Sequence, residues 1–395
     1  MTIKASGGSN NLKFSEIESE FGQNGQRSLG DYRVSETNGS LSNMPLDSGV
    51  PQSGQIKFSD FYSKKLNIVV DLHSGSSETR RNARTHKYNA SGSNGSSSGN
   101  WRVVGGFRNR PTDSGEAPTG GVRGKKVFIN VNKTLGSNSS STQTRCALRT
   151  GNWEANTDLV VDIGGSGKIY GGGGSGGKGN SKESPSGING GNGNSALGIT
   201  YSGTTVNIAS GGLICMGYGG GGGGGTAYNK DKGNTHKYGA GGGGGGGAGF
   251  PGGVGGEGTN TDGTGETGTD GTAGSLPNFS NASEPSGGGR SGSPGYNNHW
   301  WEARGGLGGT GGPGATQLYE NVTSGDPTNT GGEYYAGPEG GWDGHKTDHN
   351  PDGYEDGGSA GANGAAIRRT SGISVTINGN NANTVKGSTT ATGVT

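Results

Sequence analysis

Few residues in this chain are spaced for chemistry. Asp348-His349-Asn350-Pro351-Asp352-Gly353 follows the first half of an EF-hand calcium loop, in which alternate oxygens ligate the ion and a glycine makes the sharp turn. Its twelfth position, where a bidentate glutamate belongs, is Ser359, and no helical pattern flanks it. A solvated acidic loop is the expectation. Gly167-Lys168 and Gly177-Lys178 approach a phosphate-binding loop, but neither lysine precedes Ser or Thr, as that motif requires. The six histidines do not fall at zinc spacing, and Cys146 and Cys215 make neither a disulfide framework nor a ligand pair. Both cysteines read as buried small hydrophobes. GxGxxG matches carry no information among 94 glycines, and no Ser/His/Asp order has a supporting context. No catalytic residue, metal or cofactor is assigned. Paired carboxylates that cleave polysaccharide are recognised by separation in space, so a polysaccharide-degrading enzyme stays as a lesser alternative.

Aromatic and charged insertions between glycine runs are the other candidates. They hold Tyr228, His236 and Tyr238; then Tyr296, His299, Trp300 and Trp301; then Tyr334 and Tyr335; then Trp342, His345 and Tyr354. Amphipathic rings on loops give large contact area at low entropy cost, and Trp and Tyr faces suit the apolar faces of sugars. These twelve residues form a candidate contact set. Aromatics also cap the ends of a scaffold, and the sequence leaves both roles open.

The element that would hold such loops is the glycine itself. Gly243, Gly246, Gly249, Gly252, Gly255 and Gly258 recur at every third residue, as do Gly265 to Gly274, Gly289 to Gly295, Gly305 to Gly314 and Gly358 to Gly364. Gly171, Gly174 and Gly177, and then Gly187, Gly190 and Gly193, keep the same rhythm. Three residues per turn is the polyproline II period, whose backbone makes no internal hydrogen bonds. A rod with one bare face lets another rod approach and pair with its N–H and C=O groups. Collagen needs a longer repeat and more proline than the 13 present here. Short rods packed side by side over residues 170–366 are expected, against the alternative of a disordered glycine-rich half.

Before the glycine, residues 66–169 read as a β-rich spacer. Leu66–Leu72, Trp101–Phe107, Lys125–Asn132 and Asp158–Ile163 are rich in β-branched residues, and an antiparallel sandwich or irregular sheet is expected. Trp101 and Trp153 read as core or strand-face anchors. Connecting strands are expected at Thr204–Ala209 and Leu213–Met216, and residues 367–395 form a final strand and tail in which Ile373, Val375 and Ile377 alternate with polar residues. Lys+Arg 32 against Asp+Glu 31 leaves a formal charge of +1, no electrostatic footprint for nucleic acid. The start lacks a secretion-signal pattern, and no apolar run approaches membrane-spanning length.

Residues 1–65 contain an internal echo: Leu12-Lys13-Phe14-Ser15-Glu16-Ile17 returns as Ile56-Lys57-Phe58-Ser59-Asp60-Phe61. Each copy predicts a short strand and then a serine N-cap, with Ser15 and Glu18 as a capping box. The phrases Leu12–Gly22, Ser28–Tyr32 and Val50–Tyr62 resemble a module near the N-terminus of many tailed-bacteriophage virion proteins. The glycine half is similar to glycine-rich phage tail-fibre proteins and fibre-tip adhesins. The residue patterns give a small α/β docking module, a β-sheet middle domain and a polyproline II bundle with a C-terminal strand, mainly β and irregular overall; the β-like segment and the long charged insertions depart from the resemblance, which implies glycine rods that scaffold loops. It also implies a virion protein of the tail fibre or tail tip that binds the host surface, a glycan or an outer-membrane protein. The N-terminal module would dock to other virion proteins, and fibre analogy favours a trimer. Structural decoration without receptor contact is the alternative.

Overall fold

The computed structural model describes residues 3, 5, 11–21, 28–32, 50–51, 53–64, 67–72, 78–79, 81–82, 102–105, 126–137, 142–179, 189–225, 227–230, 236–239, 241–258, 269–279, 288, 303–304, 316–320, 329–334, 345–346, 353–354 and 357–394, in backbone alone for the strands within 67–105, 227–239 and 303–354. The two copies of the echo fold alike at their start. Helix α1 (Phe14–Phe21) and a 3-10 turn (Phe58–Phe61) each open after a lysine. The Lys13 N–H donates to Glu16 Oε2 at 2.7 Å, and the Lys57 N–H to Asp60 Oδ2 at 2.7 Å, so an acid three residues on closes each N-terminus. The sixth residue of each copy, Ile17 and Phe61, is fully buried. Tyr32, on a second 3-10 turn (Leu29–Tyr32), lies edge-on to Phe14 and Phe61 at 5.8 and 6.3 Å between ring centroids. The expected strand and Ser15 cap are corrected by these contacts: the acid at the next position begins the helix earlier, inside which Ser15 falls.

The middle of the chain is a three-faced parallel β-helix. Its first coil is β1 (Asn67–Leu72), β2 (Glu78–Thr79) and β3 (Arg81–Asn82), after which β4 (Arg102–Gly105) pairs antiparallel with β1. The second coil is β5 (Lys126–Val131), β6 (Thr134–Gly136) and β7 (Cys146–Arg149); the third is β8 (Asp158–Ile163), β9 (Lys168–Tyr170) and β10 (Ser195–Ile199). The fourth starts with β11 (Thr204–Ile208) and β12 (Leu213–Cys215). A long excursion carrying β13 (Ala227–Lys230), β14 (His236–Gly239), β15 (Ala303–Arg304), β16 (Thr316–Glu320), β17 (Asn329–Tyr334), β18 (His345–Lys346) and β19 (Gly353–Tyr354) precedes its last strand, β20 (Ile367–Arg369). A fifth coil, β21 (Val375–Asn378), β22 (Val385–Lys386) and β23 (Ala391–Thr392), completes each face. The faces stack in the orders β21-β11-β8-β5-β1-β4, β2-β6-β9-β12-β22 and β23-β20-β10-β7-β3. Every pairing between successive coils is parallel.

Register stacks like on like. Val127, Leu159 and then Ile129, Val161, Val206 line up across the first face, Leu135, Ile169, Ile214 across the second, and Leu148, Leu197, Ile367 across the third, all fully buried. In register, a row of Asp71, Asn130, Asp162, Asn207 and Asn378 crosses all five coils of the first face. Within it the Asn207 amide donates to Asp162 Oδ1 at 2.7 Å and the Asn378 amide to Asn207 Oδ1 at 2.8 Å. The antiparallel sandwich expected for residues 66–169 is therefore corrected. Alternation identifies a half-buried strand but not its neighbour, and here each chain turn rounds three corners before returning alongside itself. The described part of residues 367–395 supplies β20 and the whole fifth coil, whose first strand, β21, falls where Val375 and Ile377 alternate with polar residues.

Between the second and third faces the chain leaves the β-helix twice, and these excursions are glycine. Rod 1 spans 171–179 and rod 2 spans 189–194; rod 3 spans 217–225, rod 4 241–250, rod 5 251–258, rod 6 269–275 and rod 7 357–365. None is helix or sheet. The N–H groups of Gly171, Gly174 and Gly177 donate to Cys215, Tyr218 and Gly221, while those of Gly173, Gly176 and Gly179 donate to Pro251, Val254 and Glu257, at 2.8–2.9 Å. Rods 1 and 3, and rods 1 and 5, are thus parallel with a three-residue repeat. Gly244, Gly247 and Phe250 donate to Gly177, Gly174 and Gly171, so rod 4 runs antiparallel to rod 1. Rods 4 and 6, and rods 2 and 7, pair in the same rhythm. A methyl group on Gly173, Gly174 or Gly176 would lie 1.9 Å from a carbonyl oxygen of another rod. The α-hydrogens point at those oxygens instead, a weak but repeated attraction.

Candidate functional site

Directions of the rods decide where the insertions go. Rods 1, 3 and 5 lead away from the β-helix, and rods 2, 4, 6 and 7 lead back. The near end is fixed by an apolar plug of Tyr170, Leu213, Cys215, Tyr218 and Ala248, against which Met216, Phe250 and Phe279 pack. Here the turn from rod 4 to rod 5 sits on β6, with the Ser137 N–H donating to the Phe250 carbonyl at 2.9 Å. Burial pushes the Tyr170 hydroxyl and the Cys215 thiol up to about 12, and the Tyr218 hydroxyl upward as well. A thiol so disfavoured as thiolate is no nucleophile. Cys146 and Cys215 are buried and form no disulfide, in keeping with their reading as small hydrophobes, and the buried Trp153 anchors itself by an indole N–H bond to the Thr150 carbonyl at 2.8 Å.

Residues 179, 189, 225, 241, 258, 269 and 357 mark the far end of the rods, since each borders the outermost rod-to-rod bonds. Insertions 180–188, 226–240 and 259–268 join rods at that end, and the chain re-enters rod 7 there after β19. Two insertions distant in sequence meet in one small sheet, β14-β13-β19. Tyr228 stands opposite Tyr238, Lys230 opposite His236, and Ala227 opposite Tyr354. His345 on β18 faces Arg304 on β15, and Tyr334 on β17 faces Thr316 on β16. Of the candidate set, the structure brings Tyr228, His236, Tyr238 and Tyr354 together and places His345 and Tyr334 in two separate two-stranded ladders. Tyr296, His299, Trp300, Trp301, Tyr335 and Trp342 lie outside the described residues, as do Asp348–Pro351 of the acidic loop and the glycine runs 289–295 and 305–314.

Among the described residues no group of three His, Cys, Asp or Glu side chains is placed to hold a metal ion, and no helix is long and apolar enough to cross a membrane. Lys178 and Glu257 pair at 3.1 Å across rods 1 and 5 near the far end, both well exposed, a contact of small energetic weight. Sequence reasoning missed the asparagines. The side-chain oxygens of Asn189 and Asn192 accept from the N–H groups of Ser359 and Ala362, both at 2.8 Å. Their three-residue spacing within the glycine run was the available signal.

A stacked β-helix thus bears a bundle of glycine rods, and the described strands of the insertions lie between the far ends of those rods in the chain. Residues 108–302 match the model of a family described as phage tail fibre adhesin Gp38. The protein is a component of a bacteriophage tail fibre and binds the host cell surface. The gp37–gp38 adhesin tip complex of the bacteriophage S16 long tail fiber is similar at 17% identity over 95% of this chain and 96% of that one, with a TM-score of 0.35, too loose a likeness to argue from. A comparison with curated proteins found no match.

Proposed function

We propose that the far end of the rod bundle is the face that meets the host, and that the insertions joined there form the receptor contact. The observation that carries this is the β13–β19 pairing, which builds one surface from two insertions. The partner class is a surface glycan or outer-membrane protein, met by amphipathic aromatics on rigidly rooted loops. The rods are polyproline II helices; the three-residue bonding repeat supports that conformation. The N-terminal module docks the chain to the rest of the fibre, and the protein acts by binding, without turnover. Many copies on a particle raise avidity from weak single contacts. The direct test replaces 227–239 by a short glycine linker and measures adsorption of labelled protein to host cells. Lost adsorption with an unchanged melting profile supports the reading, and full adsorption overturns it. Sedimentation of the purified chain decides between the trimer expected from fibre proteins and a single copy.

A further inference from the structure

Glycine rods have a weakness that side-chain cores lack. Their bonding repeats every three residues with the same atoms, so sliding one rod by three residues along another remakes nearly every bond. Flat, glycine-rich elements carry little register information of their own. Something other than glycine must say where each rod stops.

Rod 7 shows what that is. Three of its N–H groups, those of Ser359, Ala362 and Ala365, donate to the side chains of Asn189, Asn192 and Ser195, at 2.8, 2.8 and 3.0 Å. The neighbouring backbone bonds, Gly190 to Ser359, Gly193 to Ala362 and Ala196 to Ala365, are of the translationally repeating kind. The side-chain bonds share that spacing but differ from step to step, two amides and then a hydroxyl, and the series ends in the β-helix, where the next position is Gly198. Ser195 is buried, donates to the Gln143 carbonyl at 2.6 Å and also accepts from Arg368 Nε at 3.0 Å. A second lock lies across the rod, where Asn363 Oδ1 accepts from the Gly219 N–H at 3.0 Å.

We propose that Asn189 and Asn192, with Ser195 as the fixed end, are positioning residues that set the register of rod 7 and thereby the place of the last insertion at the host-facing end. A slip of one repeat would move the rod about 9 Å at the polyproline II rise of about 3.1 Å per residue. Tyr354, three residues before rod 7, would then leave its register partner Ala227 on β13, and the two-insertion surface would come apart. This rests on the reading of the far end as the receptor contact.

The test uses the full chain. Asn189 is exposed and Asn192 half-buried, so the double variant N189A/N192A keeps the core. Hydrogen exchange is followed in peptides covering 353–365, and adsorption to host cells is measured beside it. Expected in N189A/N192A are exchange about tenfold faster in that segment and adsorption about tenfold weaker, the loss of two modest hydrogen bonds. The pair N189D/N192D keeps an acceptor oxygen at each position, and both readouts return toward the parent. Unchanged exchange in the alanine pair, or no recovery in the aspartate pair, overturns the assignment. Faster exchange with full adsorption leaves the register assignment standing and counts instead against the receptor reading.

Discussion

The β-helix and the rod bundle solve the same problem with opposite materials. In the β-helix, stacked Ile, Val and Leu fill the space inside three sheets, and stability follows from apolar area removed from water. In the bundle the interior is main chain, and what matters is that nothing stands between one rod and the next. One region fails when a side chain is removed and the other when one is added. The difference also bears on specificity: differing side chains fix register in the first, while the second relies on a few polar keys at its margins.

The sharpest way to break the comparison is Gly174→Ala. Its new methyl would sit 1.9 Å from the Gly191 oxygen and 2.6 Å from the carbonyl carbon, backbone atoms that cannot turn aside. The cost is on the order of 4 kcal/mol or more. Limited proteolysis should then cut within 171–258 while leaving the β-helix strands protected, and uniform resistance would refute the backbone interior. Leu148→Ala is the mirror experiment. It empties a fully buried site between β3 and β10 at a cost of about 3 kcal/mol, read as a lowered midpoint in denaturant.

A smaller effect concerns the polar row across the first face of the β-helix. Burial raises the Asp162 carboxyl above its ordinary 3.8, against the opposing pull of Asn207 and Lys126. The folded chain therefore holds this proton more tightly than the unfolded chain. Its contribution favours folding below the ordinary carboxylate range and is lost as pH rises through the raised value. Asp162→Asn keeps the acceptor for Asn207 and removes the titration. Melts from pH 3 to 7 should show the variant gaining on the parent as pH rises, and a parallel pair of curves would refute the shift. Smallest of all is Gly203→Ala, at a turn with φ +79° and nothing within 4 Å of the added carbon, costing about 1 kcal/mol through backbone strain alone. Against Gly174→Ala it separates conformational need for glycine from spatial need.

How much of this was legible depended on element length and on repetition. The long strands of the first face, such as Lys126–Val131 and Asp158–Ile163, announced themselves by β-branched alternation. The three-residue strands of the other faces, such as Lys168–Tyr170 and Leu213–Cys215, were too short for a period to show. Parallel pairing was invisible, because the partner of each strand lies a full coil away. The glycine rhythm was readable since every third residue must be bare at a contact, yet it did not reveal which rods touch. At the candidate site, Tyr228 and Tyr238 were recognisable as a charged and aromatic insertion. That Tyr354 joins them depends on rod 7 returning between rods 2 and 3, a fact of packing and not of composition.

The fifth coil has a consequence for synthesis. Val375 to Thr392 is translated after every rod and every insertion, yet it covers β11, β12 and β20. A ribosome that stalls or a protease that trims before Val375 leaves three bare strand edges, which invite pairing with other chains. Truncation at that point moves the open end of the stack from β21, β22 and β23 back to β11, β12 and β20, one coil nearer the rods.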